Sequence, residues 1–260
     1  MRNSTLHNIA AIAGKELRSL YSSPIAWVLM GLFAALFGGF YTVYLNYFMS
    51  QALQSQFGGG GSSMNVNASM IRPVLSNFSV LMLFLLPVVT MRTYAEEKRS
   101  GTIELLLTSP ITDLEIVLGK FLGTIGMFAG LLAVTFLYII ILFAFGRPDW
   151  RPIVTGYLGL FLLGTCFLSV GLFISSTTKN QMVAAAASFI AALFMWIVGW
   201  FSDSAGTTFG AVLSYLSITE HMEDFSKGII DTKHVVFYLS FIVFGLYITL
   251  KSTDAERWRG

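Results

Sequence analysis

The chain has 260 residues, of which 55% are hydrophobic and only 12% charged, and its formal net charge is +2. Soluble domains run near a quarter charged, so a water-soluble fold of this composition would expose large apolar patches, and the bilayer is the expected solvent. The small net charge gives no argument for nucleic acid, and a single cysteine, Cys166, excludes a disulfide framework or a cysteine metal site within the chain.

Residues 3–21 come first. Leu6, Ile9, Ala13, Leu17 and Leu20 recur at steps of three and four, while Lys15, Glu16, Arg18 and Ser19 fall largely elsewhere on the wheel. This pattern predicts an amphipathic helix lying flat in the inner headgroup layer, either as a surface anchor or as a helix that also touches a cytoplasmic partner. It turns into the first span at Ser22, Ser23 and Pro24. The stretch ahead of the first apolar run is mostly polar or amphipathic, and that run is too long for a signal h-region. A retained span is expected, not a cleaved leader.

Six apolar runs approach the roughly 20 residues needed to cross the hydrocarbon core: 25–48, 74–91, 121–145, 153–175, 182–201 and 235–250. None alternates as a barrel strand would, so all six are expected to be helices. The shortest, 235–250, borrows His234 and Lys251 as snorkelling ends. The expected divisions are an interface helix over 1–24, a six-helix domain over 25–250 and a tail over 251–260. The domain includes an external loop at 49–73, a cytoplasmic segment at 92–120 and an external segment at 202–233.

Lys and Arg divide eleven to five between the two faces of this arrangement. Arg2, Lys15, Arg18, Arg92, Lys98, Arg99, Lys120, Lys179, Lys251, Arg257 and Arg259 lie on one, and Arg72, Arg147, Arg151, Lys227 and Lys233 on the other. The positive-inside rule then puts both termini and residues 94–120 in the cytoplasm. Outside, Gly58, Gly59, Gly60 and Gly61 form a flexible tract with no means of packing a core. Residues 209–216 and 218–230 read as two half-helices at or dipping into the external interface.

Within the six spans as drawn there is no Asp, Glu, Lys, Arg or His. Ion-coupled carriers and acidic-ring channels mark their pathways with such residues, so their absence counts against both. The three histidines, His7, His221 and His234, look scattered, and His221 with Glu220, Glu223 and Asp224 reads as a solvated helix face before it reads as a metal site. Ser169 and Ser188 have no paired base, which gives an intramembrane serine protease little support. Neither Gly14-Lys15-Glu16 nor Gly119-Lys120-Phe121 carries the hydroxyl residue or the upstream glycine of a P-loop. If ATP is used, another subunit hydrolyses it.

The densest charge lies between the second and third runs. Glu96, Glu97, Lys98, Arg99, Ser100 and Gly101 make a polar turn with a glycine break. Residues 102–108 then form a short apolar-rich helix, stopped by Ser109 and Pro110. Thr112-Asp-Leu-Glu115 matches the Ser/Thr-x-x-Glu capping box and starts a helix that continues into the third span. The product is a helix-break-helix elbow that presents Ile103, Leu105, Leu106 and Leu107 beside Glu104, as a protein-binding surface would. Packing of the elbow on its own bundle is the competing reading.

Residues 94–111, followed by Glu115-Ile-Val-Leu-Gly-Lys-Phe121, resemble the signature of ABC-2 type transporter permeases. Gly14-Lys-Glu-Leu-Arg18 resembles their N-terminal interface helix, with Lys15, Glu16, Leu17 and Arg18 at the matching positions. Residues 217–231 look like the branch containing the gliding-motility-associated permeases. The resemblance implies an all-α, six-helix membrane permease of the bacterial cytoplasmic (inner) membrane. Its interface helix and coupling helix would be cytoplasmic, and paired half-helices would lie outside between helices 5 and 6. It implies no cofactor in this chain, with ATP and Mg held by partner ABC ATPases. A second permease copy or a related membrane subunit, and an auxiliary envelope protein, complete the implied partners. The coupling helix would be Thr102, Ile103, Glu104, Leu105, Leu106, Leu107, Thr108, Ser109 and Pro110, with Glu96, Glu97, Arg99 and Gly101 beside it. Export of a substrate and mechanical work on an envelope machine are both compatible with these features. The glycine tract at 58–61 is not part of the resemblance.

Overall fold

The structure, a computed structural model, describes residues 2–57, 65–146, 148–202, 210, 215 and 217–257. The described residues form helices and turns without a strand. In chain order they are α1 (Arg2–Ser22), α2 (Pro24–Phe57), a π-helical turn (Asn67–Ile71), α3 (Arg72–Thr90), α4 (Ala95–Ser100), α5 (Thr102–Leu107) and α6 (Asp113–Phe145). The rest are α7 (Trp150–Thr177), α8 (Gln181–Ser202), α9 (Glu220–Lys227) and α10 (Thr232–Arg257). Six stretches are long and apolar enough to cross a membrane: Pro24–Ser55, Asn67–Ser100, Asp113–Phe145, Trp150–Thr177, Gln181–Phe201 and Thr232–Arg257. The protein is an all-α multi-pass membrane protein.

The bundle is built around α7. In lipid, helices gain little from burying apolar surface against one another, so close approach at small residues carries the packing. Gly156 and Gly159 let Leu75 of α3 and Phe225 of α9 close on α7, Gly164 admits the Phe128 ring of α6, and Gly171 meets Thr90 of α3. Gly245 of α10 faces Ser169 in the same way. The joint between α2 and α3 is aromatic, with Phe33 and Phe37 both edge-on to Phe78. The helices extend beyond the apolar runs: α6 begins at Asp113, directly after its cap Thr112 and well before Phe121. At 33 residues it is about 50 Å long, against roughly 30 Å of hydrocarbon. Its first turns therefore have room to lie outside the apolar layer.

Two sequence expectations change. α1 runs alongside the first half of α6 and is not presented as a free surface helix. Asn8 donates to Glu115 at 3.4 Å, Ile12 sits over Gly119, Leu17 over Gly126 and the Tyr21 hydroxyl over Gly130. The packed face turns toward Ile12 and Glu16, leaving Leu6 67% exposed, and Glu16, placed on the polar side of the wheel, is 8% exposed. The second change concerns α9. His221 is buried and sits against His234 of α10, not on a solvated face. Among the described residues no group of three or more His, Cys, Asp or Glu is placed to hold a metal. The glycine tract at 58–61 and nearly all of the first half-helix at 209–216 lie outside the described residues.

Candidate functional site: the elbow between the second and third spans

α3 ends at Thr90, and the chain turns through Met91 to Tyr94 into α4. A helix start leaves N–H groups without intrahelical partners. The Ser175 hydroxyl oxygen of α7 takes two of them, accepting from the Tyr94 amide at 3.1 Å and the Ala95 amide at 3.2 Å. Glu96 and Glu97 occupy the first turn of α4, and Lys98 and Arg99 the last, as the helix dipole favours. Gly101 then adopts φ +73°, a left-handed conformation that β-carbon sterics discourage in other residues, and redirects the chain into α5. At the far end Thr112 and Glu115 complete the capping box. Thr112 donates its amide to the Glu115 carboxylate at 2.9 Å, and the Thr112 hydroxyl oxygen accepts from the Glu115 amide at 3.3 Å.

Beneath α4 lies a charged cluster that runs against the apolar composition. The Lys120 ammonium, 1% exposed, is 2.7 Å from the Glu97 carboxylate and 3.4 Å from that of Glu16, and donates to the Thr93 carbonyl at 2.7 Å. It also stands 4.9 Å from the Tyr94 ring centroid. Lys15, two-thirds exposed, adds a second cation at 3.2 Å from Glu97. Burial raises the Glu16 carboxyl above its ordinary value, and the neighbouring Lys120 works against that rise.

Other ties come from the remaining helices. Lys98 donates to the Ser176 carbonyl and pairs with Glu256 of α10 at 2.5 Å. Arg257 reaches Asp113 at 3.2 Å, and Arg92 grips Glu96 through two nitrogens while donating to the Ser23 hydroxyl at 2.6 Å. The elbow is thus held by α1, α6, α7 and α10. Its position follows theirs.

This geometry sorts the residues singled out in the sequence. Arg99, Gly101, Thr102, Glu104, Leu105, Thr108 and Pro110 face outward, with Leu105 72% exposed. Ile103 turns into the bundle at 7% exposed, and Leu106 packs half-buried against the core. The expected four-residue apolar display is therefore corrected. An α-helical turn cannot point 103, 105 and 106 the same way, and the bundle takes 103 and 106. The Leu107 side chain lies outside the described residues. Glu97 faces inward onto Lys120, while Glu96 and Ser109 are half-buried. In α1, Lys15 and Arg18 are exposed, Leu17 rests on α6 and Glu16 is buried.

Ser175 and Glu256 were not read from the sequence as part of this site, and Lys98 and Lys120, present in the polar turn and the signature, were given no role in it. One signal was available: Gly119, Gly123, Gly126 and Gly130 recur at steps of four, three and four, a small-residue stripe that marks a close helix contact. A Cβ at Gly123 would meet the Glu16 Cβ at 2.6 Å, so the stripe brings Glu16 alongside Lys120.

Compared with known proteins, residues 10–250 match the sequence model of a family described as ABC-2 family transporter protein. No curated protein matches the chain.

Proposed function

The chain belongs to the ABC-2 transporter family, and we propose that residues 96–110 are the joint through which cytoplasmic ABC ATPase subunits drive this permease. The observation that carries the reading is the split face of α5. Ile103 anchors it in the bundle while Leu105 projects outward between Glu104 and the exposed Thr108 and Pro110. An exposed apolar side chain ringed by polar ones suits a groove on a partner protein.

On this reading both termini and the elbow face the cytoplasm of a bacterial inner membrane, in line with the eleven-to-five division of Lys and Arg. ATP and Mg are bound by the partner ATPases, whose approach pushes α4 and α5. The ion pairs to α1, α6 and α10 pass the displacement into the spans. The ATPases shift the permease only if they bind its two states with different affinity. The lipid-facing sides of α2, α8 and α10 leave room for a second permease copy or a related subunit. We read the output as export of a substrate.

The test is Leu105→Asp. Because the side chain is 72% exposed, folding should change by no more than about 0.5 kcal/mol, while ATPase co-purification or transport-coupled hydrolysis is lost. A variant that assembles and couples like the parent would overturn the docking assignment. A reconstituted complex that hydrolyses ATP without moving substrate would replace export with mechanical work on the envelope, the role the 217–231 resemblance implies.

A further inference from the structure

We propose that His221 and His234 form a one-proton site, a shared imidazole–imidazolium pair that fastens α9 to α10 over a limited pH window. Four ring nitrogens and their partners fix the number of hydrogens. His221 Nε2 is 2.9 Å from the Tyr215 carbonyl oxygen, which only accepts, so this nitrogen carries a proton. His234 Nε2 is 2.9 Å from Asp224 Oδ2, and that hydrogen bond holds the Asp224 carboxyl below its usual value. Lys227 stands 3.7 Å from the other Asp224 oxygen, so Asp224 is a carboxylate that accepts, and His234 Nε2 is protonated too.

The two remaining nitrogens, both Nδ1, face each other at 2.5 Å. With no proton between them two lone pairs collide. With two, the N–H groups collide. One proton gives a bond. The rings together thus hold three protons and a single positive charge, which Asp224 balances.

The surroundings keep that count. His221 is 4% exposed and stacks on Phe237 with centroids 3.9 Å apart, beside Tyr215 and Tyr238. Burial pushes its imidazole down, the Tyr215 carbonyl pulls it up, and the His234 charge pushes it down again, so a fourth proton is disfavoured. Glu220 of α9 favours a charge on His221 and Lys233 of α10 opposes it, while Lys227 and Lys233 both hold the Asp224 carboxyl down. Lys233 pairs with Asp231 at 3.1 Å, and Glu223 is taken by Lys227 at 2.8 Å and by Arg72 of α3 at 2.9 Å. From α7, Cys166 donates to the Tyr238 carbonyl.

The sign works in both directions. As pH rises, the shared proton leaves and the bond is lost. As pH falls, a fourth proton puts two cations face to face and the bond is lost again. Attachment of α9 therefore peaks between two limits, the signature of a coupled pair. This rests on none of the ATPase-coupling reading.

The experiment uses the full chain in lipid nanodiscs with 15N-labelled histidine. In a middle pH window we expect both Nε2 nitrogens protonated and one proton coupled to both Nδ1 nitrogens. Two neutral rings with one N–H each, or two independent single-site titrations, would overturn the site. Amide exchange in α9 should be slowest in the window and speed up roughly tenfold on either side, as expected for one charge-assisted hydrogen bond. Asp224→Asn keeps the shape and removes the balancing charge, so the alkaline limit should move to lower pH. An unmoved limit would refute the charge assignment.

Discussion

Replacing Lys120 by Met tests the cluster under the elbow most directly. The ammonium is 1% exposed and faces three oxygens: Glu97 and Thr93 at 2.7 Å, and Glu16 at 3.4 Å. Breaking a buried pair by removing one partner costs about 3–5 kcal/mol, because the other charge is left stranded. Here Lys15 stays at 3.2 Å from Glu97, and Glu16 can relieve itself by taking up a proton. Both effects favour the lower end, about 3 kcal/mol. Equilibrium unfolding in bicelles measures it. The triple variant Lys120→Met, Glu16→Gln, Glu97→Gln strands no charge and should recover at least half of the loss. A carboxyl raised by burial binds its proton more tightly folded than unfolded. The single variant should therefore gain stability as pH falls toward the ordinary carboxyl value of 4.5, and lose it as pH rises. A loss below about 1 kcal/mol, the range of exposed pairs, would refute the buried-cluster reasoning.

Gly123→Ala places a Cβ 2.6 Å from that of Glu16 and should cost about 1–3 kcal/mol by overpacking, read from the same unfolding curves. Gly14→Ala, on the open side of α1 with nothing within 4 Å, should be neutral or gain up to about 1 kcal/mol. Gly101→Ala meets no neighbour but must hold φ +73°, a strain of about 1–2 kcal/mol. Faster amide exchange in α4 and α5, with α7 unchanged, would report it. Thr112→Ala removes one capping bond and should cost about 1 kcal/mol, with exchange rising first in the opening turn of α6.

Much of this was legible in the residues. Six apolar runs specify six spans because hydrocarbon leaves a backbone no other partner than its own helix. The Thr112 and Glu115 box was readable because capping is local. The elbow's break at Gly101 is local as well. The direction each elbow side chain takes was not legible, since neighbours distant in the chain decide it. Ile103 and Leu106 look as available as Leu105 until the bundle occupies them. Glu97 looks partner-facing until α6 brings Lys120 beneath it. His221 and His234, thirteen positions apart, meet only because α9 folds back onto α10. The wheel of α1 misled for a related reason: periodicity finds the apolar stripe but is blind to a buried carboxylate awaiting a lysine from another helix.

The parallel run of α1 along α6 also sets a rule for chain length. Asn8 against Glu115, Ile12 over Gly119 and Glu16 over Gly123 keep a common step of four on both helices. One residue inserted into α1 would rotate everything on one side of it by about 100°. Insertion ahead of Ile12 would swing Asn8 away from Glu115, and insertion after it would part Glu16 from Lys120. Homologous chains should therefore keep the count from Asn8 to Tyr21 constant.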